Sequence, residues 1–222
     1  MSVSAPSLCP RNHQVTLAAV HGGHNKSMSA TITISLSELI ASDAHVRLQT
    51  ALASRATVVV PCAEDARLPV TVLFAALETT ATTSGFLRFE GLSANARLAL
   101  QAVDPDRRLA VGDAARTIGQ MGDRPYQVRL AADGSVTLLL LKGIGQHHHM
   151  NETAAYEWIR GLDASAVVVD MSQIEHLNSL LVAWLLQINQ GAGAGRCRLV
   201  QVGRQAVTQL SQLRLNHLLV IG

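Results

Sequence analysis

Val167 to Gln190 reads VVVDMSQIEHLNSLLVAWLLQINQ: an apolar run of strand length, a polar turn, then apolar residues at almost every position. The run AVVVDM predicts a strand covered on both faces of its sheet. After the turn, Ser179 opens a predicted helix whose first two turns, Leu180 to Ile188, leave almost no polar face. A helix resting on a sheet needs one apolar stripe; one that is apolar all round needs cover on both sides.

The same patterning organises the rest of the second half. YQVRLAADGSVTLLLLKG holds two β-rich runs around Asp133-Gly134, a short-range hairpin signal. NETAAYEWIRGLDAS predicts a helix capped by Asn151, with Ala154, Ala155, Trp158, Ile159 and Leu162 at helical spacing. GAGAG ends the helix that starts at Ser179, RCRLVQV is a strand, RQAVTQLSQLR a short helix and HLLVIG a closing strand. The order is ββαβαβα with a last strand, which implies helices crossing over a mixed sheet.

The first half repeats that order. HQVTLAAV and SATITISL are β-rich, SELIASDAHVRLQTALAS is helical with Ser37 as its cap, and ATVVVP is a buried-type strand. LPVTVLFAALETTATT is a helix with Pro69 in its first turn, GFLRFEGL a strand, SANARLALQAV a helix and RRLAVG a strand. At an offset of 110 residues Val58 falls on Val168, Phe74 on Trp184, Arg88 on Arg198 and Gly112 on Gly222. The fold class expected is therefore α/β, in two similar domains each with a mixed sheet. The expected division is a tail at 1–13, a first domain at 14–112, a linker at 113–125 and a second domain at 126–222. The two apolar helices are expected to cover each other as a pseudo-two-fold pair, or else to be covered by flanking helices of their own domains. A homodimer is a further arrangement open to the chain.

Composition narrows the function classes. Of 222 residues 48% are hydrophobic and 15% charged, enough for packed cores. A net charge of +2, 3% aromatics and no basic run argue against a nucleic-acid platform. Cys9, Cys62 and Cys197 are odd in number and far apart, which fits free thiols in a reducing compartment. The first residues lack the pattern of a signal peptide, and LLVAWLL is far shorter than the roughly 20 residues that span a bilayer. These features lead us to expect a cytoplasmic protein without direct membrane insertion.

The stretch from Ala166 through Leu219 resembles the STAS domain of bacterial anti-sigma factor antagonists. In that family a strand ending in a DLS-like element leads to an Asp-Ser-Ser-Gly turn and a helix. Here Asp170-Met171-Ser172 matches the strand end, and Asn178-Ser179-Leu180-Leu181 occupies the turn. The resemblance covers residues 126–222, and 14–112 joins it through the repeat as a degenerate copy. It implies a non-catalytic protein-interaction module in signal transduction and transcription regulation, with a protein partner such as an anti-sigma factor kinase. It also implies that Ser179 holds the phosphorylated position and that Asp170, Asn178, Ser179, Leu180 and Leu181 form the interaction surface. A phosphate there would meet free N–H groups and the positive end of the helix dipole. The chain departs from the family at Asn178, which replaces an acidic residue, at Leu180 and Leu181, which replace small ones, and at Pro69, which stands at the serine position of the first copy. The bland role for Ser179 is a helix cap or first-turn serine. The alternative function is a structural subunit of a larger assembly, stressosome-like or associated with a lipid transporter.

Other constellations carry less. His147, His148 and His149 are consecutive and are expected to point apart in a solvated loop, and His13, His21 and His24 are read the same way. Gly191 to Gly195 follows a helix and precedes a strand, the reverse of a phosphate-binding loop. No grouping of Ser, His and Asp or of Cys and His suggests an enzyme, and no cofactor or metal is expected.

Overall fold

A computed structural model of the chain describes residues 30–41, 43–104, 108–111 and 124–222. The expected tail, the run HQVTLAAV, Cys9, the three N-terminal histidines and nearly all of the expected linker lie outside these residues.

The first half runs β1 (Thr31–Thr33), α1 (Leu36–Ala41), α2 (Ala44–Ala53), β2 (Thr57–Pro61), β3 (Leu68–Pro69), α3 (Val70–Thr82), β4 (Phe86–Glu90), α4 (Ala94–Val103) and β5 (Ala110–Val111). Its sheet has the order β1-β2-β4-β5, and every pairing is parallel. The mixed sheet with a leading hairpin expected for this half is thus not seen among the described residues. The single helix expected after β1 is two helices. Ser35 and Glu38 close a reciprocal capping box, the Ser35 hydroxyl accepting the Glu38 N–H at 3.2 Å and the Glu38 carboxylate accepting the Ser35 N–H at 2.9 Å. Ser35, not Ser37, therefore starts α1. Asp43 then accepts the N–H groups of His45 and Val46 and starts α2 afresh.

The second half runs β6 (Tyr126–Leu130), β7 (Ser135–Leu140), β8 (Leu162–Asp163), β9 (Ala166–Asp170), α5 (Ser179–Ala192), β10 (Cys197–Val200), α6 (Arg204–Gln212) and β11 (Val220–Ile221). β6 and β7 are the expected antiparallel hairpin, and Gly134 supplies its positive φ of 82°. The sheet order is β11-β10-β9-β7-β6, mixed because of that hairpin. From β7 onward the strands are parallel in the order β7-β9-β10-β11, the order the first half shows as β1-β2-β4-β5. β5 and β11 stand at the expected offset of 110, Ala110 against Val220.

Successive crossovers that all step in one direction, each right-handed, place their connections on one face of the sheet. That face is buried: Val136, Leu138, Val167, Val169 and Leu199 are at 0% exposure. The opposite face carries the row Arg129-Thr137-Val168-Arg198-Val220, half-buried or exposed throughout. β9 is thus covered on one face, not on both as its unbroken apolar run suggested.

The predicted helix at 151–162 is absent. In its place four 3-10 turns, Ile144–Gln146, His148–Asn151, Thr153–Ala155 and Glu157–Gly161, carry the chain to β8. The cause lies in one carbonyl. In an α-helix the Ala155 oxygen would accept the Ile159 N–H. Here it accepts the Tyr126 hydroxyl at 2.9 Å, the Trp158 indole N–H at 3.2 Å and the Trp184 indole N–H at 3.0 Å. The Ile159 N–H donates instead to Tyr156, three residues back.

The halves are joined through the same segment. β3 pairs in parallel with β8, Leu68 opposite Leu162, and α4 lies against the turn at 157–161. A Cβ at Gly161 would stand 2.2 Å from the Asn95 carbonyl oxygen, so glycine alone permits this approach. Arg124 donates to the carbonyls of Ala102 and Gln101 at the C-terminus of α4. The pairing of α3 with α5 suggested by their sequences is not this joint. α5 is covered by its own half, Gly191 against Ile159 and Trp184 on Ala155. α3 packs on α2, β4 and β6.

Burial raises the Tyr126 phenol above its ordinary 10.0, and raises the Cys62 and Cys197 thiols from 9.0 to about 11. All three are neutral when protonated, so the unfolded chain loses these protons first. Their contribution is intact below about pH 9 and is lost as pH rises through about 11. Urea denaturation should give a lower midpoint at pH 10.5 than at pH 8. Cys62→Ser/Cys197→Ser should reduce that difference; an unchanged difference would exclude the thiols as its source.

Candidate functional site at the mouth of helix α5

β9 ends at Asp170, whose carboxylate accepts the Ser172 N–H at 2.9 Å and turns the chain away from the sheet. Ile174 and Leu177 anchor the following loop in the core. Gln209 of α6 then holds both backbone groups of Leu177, accepting its N–H at 2.9 Å and donating to its carbonyl at 3.3 Å. The approach to α5 is therefore fixed from a neighbouring helix. Nothing in the sequence marks Gln209, a single polar residue within an ordinary amphipathic pattern.

Asn178 is the cap of α5. Its Oδ1 accepts the Leu181 N–H at 2.9 Å, its backbone carbonyl accepts the Val182 N–H at 3.0 Å, and its Nδ2 donates to the Gly145 carbonyl at 2.7 Å. Of the two bland roles expected for Ser179, the cap belongs to Asn178 instead, and Ser179 is a first-turn serine, the first residue of the helix. Its side chain is exposed, and its hydroxyl takes part in no hydrogen bond among the described residues.

The five residues of the expected surface do not all lie on one surface. Asn178 and Ser179 are exposed and Leu180 is half-buried, while Leu181 is 1% exposed and belongs to the core. Asp170 is half-buried and committed to its turn. What accompanies Ser179 outward is a stripe the sequence reading had assigned to the interior. Ala183 is exposed, and Leu180, Val182 and Leu186 are half-buried. Trp184, Leu185 and Ile188 fill the buried side as expected, whereas Leu180 and, on α3, Phe74 are half-buried where the pattern predicts them mostly buried. α5 carries no charged side chain, so the positive end of its dipole has no acidic residue in the first turn.

The histidine tract borders this mouth. Gly145, tethered to Asn178, stands two residues before it, and the turn at His148–Asn151 packs on α5. The three rings do not point apart. His148 and His149 have ring centres 3.8 Å apart, and His147 lies 5.3 Å from His148 and 5.4 Å from His149. His149 also pairs with Glu152. Among the described residues no three His, Cys, Asp or Glu side chains are arranged to hold a metal ion, and no helix is long and apolar enough to cross a membrane.

With the cap on Asn178, Asn178→Ala should lower stability by about 1 kcal/mol. Ser179→Ala should change it by no more than about 0.5 kcal/mol. Urea denaturation of the two variants side by side decides the assignment, and the reverse ranking would return the cap to Ser179.

Compared with protein-family models, curated proteins and solved structures, the chain matches none.

Proposed function

We propose that this chain is a non-catalytic interaction module whose α5 mouth docks a regulatory protein, and that Ser179 is a phosphate-accepting switch on that surface. The observation that carries the reading is the pairing of an unengaged, exposed hydroxyl with a half-exposed apolar stripe on one helix. An apolar stripe gives a partner surface to bury. A phosphate placed at its end adds about −1.5 to −2 charge and opposes that burial. Because Asn178 caps the helix independently, the charge can be added without unhooking the first turn. The resemblance to anti-sigma factor antagonists supplies the class of partner, a kinase-type anti-sigma factor.

The scaffold reading retains one specific observation in its favour. The face of the second sheet opposite its helices is half-buried or exposed along the row Arg129 to Val220, and on the first sheet Phe86 is 69% exposed. Pull-down from native cells with the partner identified by mass separates the two. A histidine-kinase-like ATPase supports docking at α5, and a transporter subunit supports the scaffold.

With the partner and ATP in hand, wild-type protein should acquire one phosphate at Ser179 and bind at least tenfold more weakly. Ser179→Ala should remain unlabelled and bound. Leu180→Asp should abolish binding while leaving the unfolding midpoint nearly unchanged, because a carboxylate at this half-buried position can reach water. Binding that survives Leu180→Asp would place the docking surface elsewhere.

A further inference from the structure

The feature left unused by the reading above is the histidine cluster. Three imidazoles lie with ring centres 3.8 to 5.4 Å apart, and imidazole is the side chain that gains charge between about pH 8 and 5. The elements packed on the tract offer such charge little company. α5 has no titratable residue and presents the positive end of its dipole. The turns Ile144–Gln146 and Thr153–Ala155 have none either, and among the described residues Glu152 is the carboxylate that pairs with the tract, on His149. Lys142 precedes the tract, and Glu175 and His176 lie on the approach to α5. The Nδ1 atom of His147 is buried without a hydrogen-bond partner, a site where a proton would find no acceptor.

We propose that His147, His148 and His149 form an acid-sensitive latch on the mouth of α5. In the neutral state the clustered rings, His147 stacked on His148 and His149 tilted against both, hold the 3-10 backbone in place, and Gly145 keeps its carbonyl on Asn178. One added proton is accommodated by the Glu152–His149 pair. Further protons place like charges within a few ångströms of each other with no second carboxylate to offset them, and the cluster relaxes by moving apart. The Gly145–Asn178 tether goes with it, and the first turn of α5, which Ser179 begins, loosens. Use of this opening in signalling rests on the function proposed above, but the latch itself belongs to the protein alone and is read without kinase or partner.

The molecule carries its own reporter. Both tryptophans donate to Ala155, four residues beyond Asn151, so motion of the segment alters their surroundings. The test is amide hydrogen exchange at Leu181 and Val182, corrected for the intrinsic pH dependence of exchange, together with tryptophan fluorescence, between pH 7.5 and 5.5. Wild type should lose protection at least tenfold, with a fluorescence change over the same range. The H147Q/H148Q/H149Q variant should keep its protection at pH 5.5. Glu152→Gln removes the carboxylate that stabilises the closed, charged state, so its opening should shift to higher pH. Equal protection at both pH values in wild type overturns the latch, as does an acid transition that persists in the triple variant or an unshifted transition in Glu152→Gln. Failure of Ser179 labelling would leave all three readouts unaffected, so the two ideas fall separately.

Discussion

The Ala155 carbonyl is the point on which the second half turns. It collects the Tyr126 hydroxyl from β6, the Trp184 indole from α5 and the Trp158 indole from its own segment, and Trp158 also donates to the Tyr126 oxygen at 3.0 Å. Three donors on one oxygen exclude the α-helical hydrogen bond that the local sequence favours. Each indole N–H is buried, and leaving one unpaired costs about 1–3 kcal/mol, more than the few tenths per residue by which helix propensities differ. Side-chain polar satisfaction therefore overrides backbone propensity here. The consequences spread outward. A 3-10 path turns Gly161 toward α4, brings β8 beside β3 and gathers the histidine rings at the edge of α5.

The joint between the halves follows from that path. Two halves with the same parallel strand order are expected to meet through equivalent helices, but the surfaces that meet are different ones, α4 from the first half and a 3-10 turn from the second. The first half keeps α1 and α2 where the second has its irregular segment. The duplicated pattern thus coexists with an asymmetric contact, and the asymmetry is set by the residues at 155–161, which have no counterpart in the first half.

Much of this was legible in the sequence. Strands with three consecutive valines, the Asp133-Gly134 turn, the start of α5 at Ser179 and its end within the glycine run all depend on local pattern, and all stand where pattern placed them. The failures share a cause. Asn151 to Leu162 has a helical spacing of apolar residues, but its fate depends on hydrogen bonds from Tyr126 and Trp184, both 29 residues away from Ala155 in the chain. The apolar run of β9 implied two covers, yet one-directional crossovers supply only one. The fully apolar α5 implied complete burial, and its outer stripe is instead half-exposed beside Ser179. Residue type left Ser179 as either a cap or a first-turn serine, and it is the latter because Asn178, as good a cap, stands one position earlier.

That one-residue shift governs what the mouth of α5 can do. A capping serine would surrender its hydrogen bond on phosphorylation, and the helix would reorganise its first turn. With Asn178 holding the N–H groups of Leu181 and Val182, the N–H groups of Ser179 and Leu180 are left at the helix start without partners among the described residues. A phosphate on Ser179 is within reach of that end, where favourable interaction with the helix terminus is worth about 0.3–1 kcal/mol at an exposed position. The folded chain gains a little from the new charge, while a partner covering Leu180, Val182 and Leu186 must desolvate it. Desolvating an unpaired charge costs several kcal/mol. The difference between those two terms is the physical content of the proposed switch, and the proposal depends on the cap and the hydroxyl being different residues.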